Sequence, residues 1–110
     1  AKQVIEDGLD EEWSSELVAL YGDCRGGDVL GRIARAEGWL LSHPRDAALL
    51  LVLGRLCQDK QLWGKAQSYY EASLSLDGGR VAHIALAQLL DQLEQTDLAN
   101  KHYRAAALLG

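Results

Sequence analysis

The histidines are the side chains best suited to bind a metal ion or to move a proton near neutral pH. His83 and His102 lie on two neighbouring segments that are predicted to form one helical hairpin. Two imidazoles placed in this way could bind a metal ion or a haem iron. Helical register favours the simpler prediction that both are partly buried polar residues. His43, which precedes Pro44 in a predicted turn, is expected to face solvent.

The cysteines and glycines do not form a recognisable reactive motif. Cys24 and Cys57 are far apart in the sequence, so no zinc knuckle, CxxC redox pair or haem-attachment motif is present. Cys57 is predicted to be a core residue, whereas Cys24 lies in a glycine-rich turn without a partner cysteine. The glycines of residues 22–27 do not follow a strand and are predicted turn residues rather than a phosphate-binding loop. We therefore predict a protein that is not an enzyme, with no catalytic, cofactor-binding or metal-binding residues and no cofactor.

Acidic residues are concentrated in the first quarter of the chain. Residues 1–28 hold eight of the 16 acidic side chains and two of the 11 basic ones, and the net charge is −5. Binding of nucleic acid requires a concentrated basic surface, so a nucleic-acid partner is not expected. The pairs Glu6-Asp7 and Glu11-Glu12 are predicted to be solvated near the start of the first helix, where carboxylates favour the helix dipole.

The composition indicates a single compact domain without a membrane segment. The chain has 110 residues, of which 48% are hydrophobic and 25% charged. Its longest apolar run covers seven residues, 47–53, whereas about 20 apolar residues are needed to cross a bilayer. The sequence as given is therefore expected to be soluble.

Apolar residues recur every three or four positions, which predicts an all-α protein. No long stretch alternates apolar and polar residues, so no sheet is expected. Asp46, which follows closely after Pro44, is a predicted N-cap. Short turns imply that neighbouring helices pack antiparallel. The six predicted helices cover residues 12–21, 29–41, 47–57, 62–76, 81–93 and 98–109.

A 33-residue repeat relates the last four helices to one another. Small residues align with small residues and a tyrosine aligns with a tyrosine. A small residue in the first helix of each unit is predicted to allow close approach of the second helix, and the tyrosine to fill space toward the next unit. The aligned pairs are Leu53 with Leu86, Gly54 with Ala87, Cys57 with Leu90, Ala66 with Ala99, Tyr70 with Tyr103 and Ser73 with Ala106.

This pattern resembles the tetratricopeptide repeat, which has Leu-Gly in its first helix, alanine and an aromatic residue in its second, and a proline before the next unit. Pro44 stands where such a proline would close the preceding unit. The resemblance implies a right-handed α-α superhelix of about three helical hairpins in a domain of residues 10–110, after an N-terminal extension of residues 1–9. Its units are residues 13–46, 47–79 and 80–110. The first is degenerate, with Arg32 at the small position and Ala36 at the aromatic one.

A narrower resemblance lies in residues 43–57 and 62–74, which are similar to the C-terminal repeat region of the HemY proteins of proteobacteria. Its specific parts are Leu-Gly-Arg-Leu at 53–56 and Leu-Trp-Gly-Lys-Ala at 62–66. The resemblance implies a protein-interaction scaffold associated with haem and porphyrin biosynthesis, with tetrapyrrole-biosynthesis enzymes as partners. It also implies a longer parent protein, anchored in the bacterial inner membrane by N-terminal helices. The alternatives are a haem or porphyrin carrier, a generic adaptor unrelated to haem, and a purely structural spacer.

The same family resemblance predicts where a partner binds. First helices of successive tetratricopeptide units line a concave groove that suits an extended peptide or a partner helix. Lysine and asparagine pairs that bind chaperone C-terminal carboxylates in some members are absent, because Leu51 and Arg55 occupy the matching positions. The candidate groove residues are Tyr21, Arg25, Leu51, Arg55, Gln58, Asp59, Ile84, Gln88 and Asp91.

The last predicted helix ends in the apolar sequence of residues 105–109, with no polar capping helix after it. Terminal units of repeat arrays usually have a polar outer face. We therefore expect this end to be covered, either by self-association through the C-terminal helix or by other parts of the parent protein.

Overall fold

A computed structural model describes residues 4–6, 13, 18, 21, 28–76 and 79–109. Among these residues, five α-helices have defined bounds, and each packs against its neighbours along the chain. No strand occurs among the described residues. The all-α prediction is therefore confirmed. Most of the predicted helix 12–21 lies outside the described residues, although residues 18 and 21 are helical, as are residues 4–6. The five helices are α1 (Val29–Ser42), α2 (Ala47–Asp59), α3 (Trp63–Leu76), α4 (Arg80–Gln92) and α5 (Thr96–Leu109).

The start of α2 confirms the predicted N-cap. Asp46 Oδ1 accepts the backbone N–H of Leu49 at 3.1 Å, which satisfies one of the unpaired donors of the first turn. The other carboxylate oxygen, Oδ2, accepts the indole N–H of Trp13 at 2.8 Å. The same carboxylate therefore caps α2 and connects it to residue 13.

The 33-residue repeat is present in the backbone of the two helical hairpins, α2–α3 and α4–α5. At the turn of the first hairpin, the N–H of Leu62 donates to the carbonyl of Cys57 at 2.8 Å. At the equivalent position in the turn of the second hairpin, the N–H of Gln95 donates to the carbonyl of Leu90, also at 2.8 Å. The two hairpins thus turn through the same hydrogen-bonded connection.

Each turn also contains one non-glycine residue with a left-handed backbone. Gln61 has φ 61° and Glu94 has φ 62°, and the two occupy equivalent positions of the repeat. Glycine adopts this conformation more readily because it has no Cβ. Both turns therefore keep a side chain at a position where glycine is favoured.

Replacing Gln61 by glycine is expected to raise the free energy of unfolding by about 0.5–1 kcal/mol. The substitution removes a left-handed penalty of about 1–2 kcal/mol, and the greater freedom of glycine in the unfolded chain offsets part of this gain. Urea denaturation monitored by circular dichroism measures the change. Ser68→Gly, in the exposed middle of α3, is the control and is expected to be destabilising. Equal destabilisation by both substitutions would contradict the expectation.

The core is formed by buried residues of α1, α2, α3 and α4 together with Val18 and Tyr21, and it includes Leu53, Leu86 and Leu89. The glycine of the first unit plays a more specific part than expected. A Cβ built on Gly54 would come within 2.5 Å of Cδ1 of Tyr70, so the tyrosine ring, rather than Ala66, takes the space closest to this glycine. The absence of a side chain at Gly54 thus leaves room for the ring of Tyr70 in the core.

In the degenerate unit, Arg32 is buried although a small residue is expected at its position. Its guanidinium donates to the backbone carbonyl of Tyr21 and lies 4.7 Å from the centre of the Tyr21 ring. The Tyr21 hydroxyl donates to Glu6 Oε2 at 2.8 Å, and Glu6 is also buried. The prediction that Glu6 is solvated is therefore wrong. The other members of the two acidic pairs lie outside the described residues.

A polar contact connects α1 to α3 on the outside of the core. Tyr69 donates its hydroxyl to Glu37 Oε2 at 2.5 Å, and Lys65 Nζ lies 3.1 Å from the same oxygen. The hydrogen bond from Tyr69 lowers the pKa of Glu37, with a further contribution from Lys65. Glu37 therefore remains ionised and holds the two helices together through both partners.

Candidate partner groove

Four of the nine predicted groove residues line one cavity between α2 and α4. Arg55 and Gln58 extend from α2, and Ile84 and Gln88 extend from α4. The cavity has a volume of about 250 Å³. We call this cavity, with all the residues that line it, the α2–α4 groove. Its remaining lining residues are Tyr70, Val81 and Ala85.

A chain of hydrogen bonds fixes the wall of the groove. The Tyr70 hydroxyl donates to Gln58 Oε1 at 2.8 Å, and Gln58 Nε2 donates to Gln92 Oε1 at 2.7 Å. Burial raises the pKa of Tyr70, so its hydroxyl stays protonated and remains a donor at neutral pH. These bonds connect α3, α2 and α4, and Gln58 therefore acts as a positioned part of the groove.

Arg55 is the charged residue among those that line the groove, whereas two further predicted groove residues, Asp59 and Asp91, do not line it. Arg55 and Asp59 are exposed one helical turn apart on α2, and their charges shift the pKa of Tyr70 in opposite directions. Asp91 is exposed on α4 and accepts the hydroxyl of Tyr103 at 3.0 Å. The groove therefore combines apolar lining residues with the polar side chains of Arg55, Gln58 and Gln88.

Three predicted groove residues are placed elsewhere or lie outside the described residues. Leu51 is half-buried and packs against the core. Tyr21 has an exposed fraction of 0%, so it is a core residue that a partner cannot reach, contrary to the prediction. Burial raises the pKa of Tyr21 to about 12, and its hydrogen bond to Glu6 acts in the same direction. Arg25 lies outside the described residues.

Sequence reasoning missed the floor of the groove. Val81 and Ala85 belong to the same face of α4 as Ile84 and Gln88, since the four residues follow the helical spacing of three and four. This periodicity could have revealed both residues. Tyr70 is predicted to fill space toward the next unit, and its contribution to the groove depends on the missing side chain at Gly54.

A larger depression of about 690 Å³ lies where α2 begins, against Trp13 and residues 43–48. The rings of Trp13 and His43 stack there, with centres 3.9 Å apart and planes 7° from parallel. His43 is thus half-buried against an indole, rather than fully solvent-facing as expected. The depression is more open than the α2–α4 groove and is not lined by the predicted site residues.

The other two histidines meet between α4 and α5. Their Nδ1 atoms are 3.0 Å apart, and both rings are half-buried, which confirms the prediction that His83 and His102 are partly buried polar residues. Burial lowers the pKa of His102, and His83 adds to this effect. Within the part of the chain that the structure describes, no cluster of three or more potential metal ligands occurs.

The predicted role of Cys57 is confirmed, because this residue is fully buried in the core. Burial also raises the pKa of its thiol, which disfavours the reactive thiolate. Cys24 and the glycines of residues 22–27 lie outside the described residues.

No protein-family model matches this chain, and a search of curated proteins finds no match either. The resemblance to tetratricopeptide and HemY proteins therefore stays an expectation from the residues quoted above. Among the helices described, none combines the length and the apolar character needed to cross a membrane.

Proposed function

We propose that this chain is a non-catalytic protein-interaction module that binds an extended peptide or a helix of a partner protein in the α2–α4 groove. The observation that carries the proposal is the convergence of Arg55, Gln58, Ile84 and Gln88 on one cavity. Such sites pair an apolar surface, which supplies binding energy, with a few polar groups that fix the orientation of the ligand. Tyr70, Val81 and Ala85 supply apolar surface here. Arg55, Gln58 and Gln88 supply the polar groups.

The finer proposal is a tetratricopeptide-type scaffold of a HemY-like inner-membrane protein, with tetrapyrrole-biosynthesis enzymes as partners. Support comes from the similarity of residues 43–57 and 62–74. The segment at 53–56 supplies Gly54 and Arg55, and the segment at 62–74 supplies Tyr70. Residues that carry the resemblance therefore also build the groove.

Self-association through the C-terminal helix stays part of the proposal. Leu108 of α5 has an exposed fraction of 89%, and Leu98 and Leu109 are also exposed. Burial of such side chains in a second copy would release ordered water and favour association. Sedimentation velocity over a range of concentrations tests this, and a species that stays monomeric at high concentration would count against it.

The groove proposal predicts that Arg55→Ala combined with Gln88→Ala weakens binding of a groove ligand at least about tenfold, which corresponds to about 1.4 kcal/mol. A ligand peptide is first selected against the wild-type chain from a displayed random library. Its affinity for each variant is then measured by fluorescence anisotropy. Both residues are exposed, so the double variant is expected to remain folded.

The matched control replaces two exposed polar residues of α5, Asn100 and Arg104, by alanine. Equal affinity of wild type, control and groove variant would contradict the proposal. The finer proposal is tested by co-purification with the intact protein from its source cells. Tetrapyrrole enzymes retained by the control and lost by the groove variant would support it. Partners that include no such enzyme would favour a generic adaptor.

A further inference from the structure

The second hairpin brings two imidazole nitrogens together across its two helices. His83 lies near the start of α4 and His102 lies in the middle of α5, with the two Nδ1 atoms 3.0 Å apart. The ring centres are 5.3 Å apart and the ring planes are inclined by 37°. The rings therefore meet through their Nδ1 edges rather than by stacking.

We propose that His83 and His102 form a binding site for a divalent transition-metal ion, Cu²⁺ or Ni²⁺, with the Nδ1 atoms of both rings as ligands. Imidazole is a preferred ligand of these ions. The site lies on the second hairpin, and neither histidine belongs to the α2–α4 groove. It is therefore a separate activity from the proposed binding of a protein partner.

The two nitrogens are close enough to occupy neighbouring positions around one metal ion. With metal–nitrogen bonds of about 2.0–2.1 Å, nitrogens 3.0 Å apart subtend an angle of roughly 90–100° at the metal. An angle near 90° is that of neighbouring positions in square-planar or octahedral coordination, which Cu²⁺ and Ni²⁺ adopt.

The same distance argues against haem as the ligand of this pair. Two histidines that bind a haem iron from opposite faces place their nitrogens about 4 Å apart, with the porphyrin ring between them. The observed separation is 3.0 Å, and the two rings contact each other directly. A metal ion that binds both nitrogens would lie beside the line that joins them, whereas one haem iron with these histidines on its opposite faces does not match this separation.

Both rings must offer an unprotonated Nδ1 atom to bind a metal ion. Without metal, one Nδ1–H donates to the other Nδ1. On binding, that proton moves to Nε2 of the same ring, so that both Nδ1 lone pairs face the metal and no net proton is released.

Both imidazoles are half-buried, so water can complete the coordination. With two protein ligands, the ion is expected to be exchangeable rather than permanently held.

The test is calorimetric titration of the whole chain with Cu²⁺ and with Ni²⁺ at pH 7.5. We expect one ion per chain, with Cu²⁺ bound more tightly than Ni²⁺. The variants His83→Gln and His102→Gln are each expected to weaken binding at least tenfold, since loss of even a supporting hydrogen bond at a metal site costs about that much. His43→Gln is the matched control and is expected to bind as the wild type does.

A second measurement uses the wild-type chain, so the test does not depend on how well a variant folds. Substoichiometric Cu²⁺ is expected to broaden the ring resonances of His83 and His102 and to leave those of His43 sharp. Broadening centred on His43 would overturn the proposal. Unchanged calorimetric binding in the His83→Gln/His102→Gln double variant would also overturn the proposal. The contact between the two rings in the wild type would then be a hydrogen bond and not a metal site.

Discussion

Replacing Gly54 by alanine is expected to lower the free energy of unfolding by about 2–3 kcal/mol, at the upper end of the usual cost of overpacking a core. The added methyl group would lie 2.5 Å from Cδ1 of Tyr70. Tyr70 cannot move aside easily, because its ring is buried and its hydroxyl is bonded to Gln58 at 2.8 Å. For a chain of this size, the expected fall in Tm is about 10–20 °C.

Thermal and urea denaturation monitored by circular dichroism measure this effect, and two other helical glycines serve as controls. A Cβ on Gly38 or on Gly64 would meet no atom within 4 Å. Alanine at either position is therefore expected to stabilise its helix by up to about 1 kcal/mol. If Gly54→Ala shifted stability in the same direction as these controls, the close contact with Tyr70 would be refuted.

A double variant separates the clash from any other effect at Gly54. Tyr70→Ala alone is expected to cost about 3–5 kcal/mol, because it empties the space that the ring fills. Gly54→Ala/Tyr70→Ala is expected to cost no more than Tyr70→Ala alone, since the alanine at residue 54 then has room. Simple addition of the two single effects would show that the residues are not coupled.

The second repeat shows what happens where the glycine is absent. Ala87 occupies the position that matches Gly54, and Tyr103 matches Tyr70. Tyr70 has an exposed fraction of 1%, whereas that of Tyr103 is 38%. Helices therefore pack in both units with a small residue, Gly54 or Ala87, at this position. The tyrosine is fully buried in the unit that has glycine.

The helices and part of the groove could be predicted because they depend on local spacing. Observed helix boundaries agree with the predicted ones to within two residues for α1 to α5. Arg55 and Gln58 lie one turn apart on α2, and Ile84 and Gln88 lie one turn apart on α4, so helical register alone brings each pair to one face. Their convergence follows from the 33-residue repeat, which aligns the two helices.

The burial of Tyr21 and Glu6 could not be predicted in the same way. The repeat pattern and the acidic composition of the N-terminal region place both residues on solvent-accessible surfaces. Their burial depends on contacts with α1, which comes later in the chain. Tyr21 is bonded to Glu6, 15 residues before it, and to Arg32, 11 residues after it. The sequence does show that Arg32 departs from the repeat pattern, but this departure alone does not identify Tyr21 as the partner of Arg32.

Replacing Arg32 by methionine, which keeps most of the side-chain volume, is expected to destabilise the fold by about 3 kcal/mol. Removal of one partner from a buried charged network is costly, because the groups left behind stay out of water without compensation. Here the backbone carbonyl of Tyr21 would lose its guanidinium donor, and the buried Glu6 would lose a buried positive charge that acts on the same tyrosine. Urea denaturation measures the loss.

Arg104→Met, on the exposed surface of α5, is the matched control and is expected to change stability by less than about 0.5 kcal/mol. If both variants were equally stable, Arg32 would have no structural role in the buried cluster.

The ionisation of Tyr21 gives a second readout, which loss of packing alone would not produce. Burial and Glu6 raise the pKa of Tyr21 and Arg32 lowers it, with a net value of about 12. Without Arg32, the pKa of Tyr21 is therefore expected to rise further, so that ultraviolet absorbance shows less ionised tyrosine at pH 12 than in the wild type.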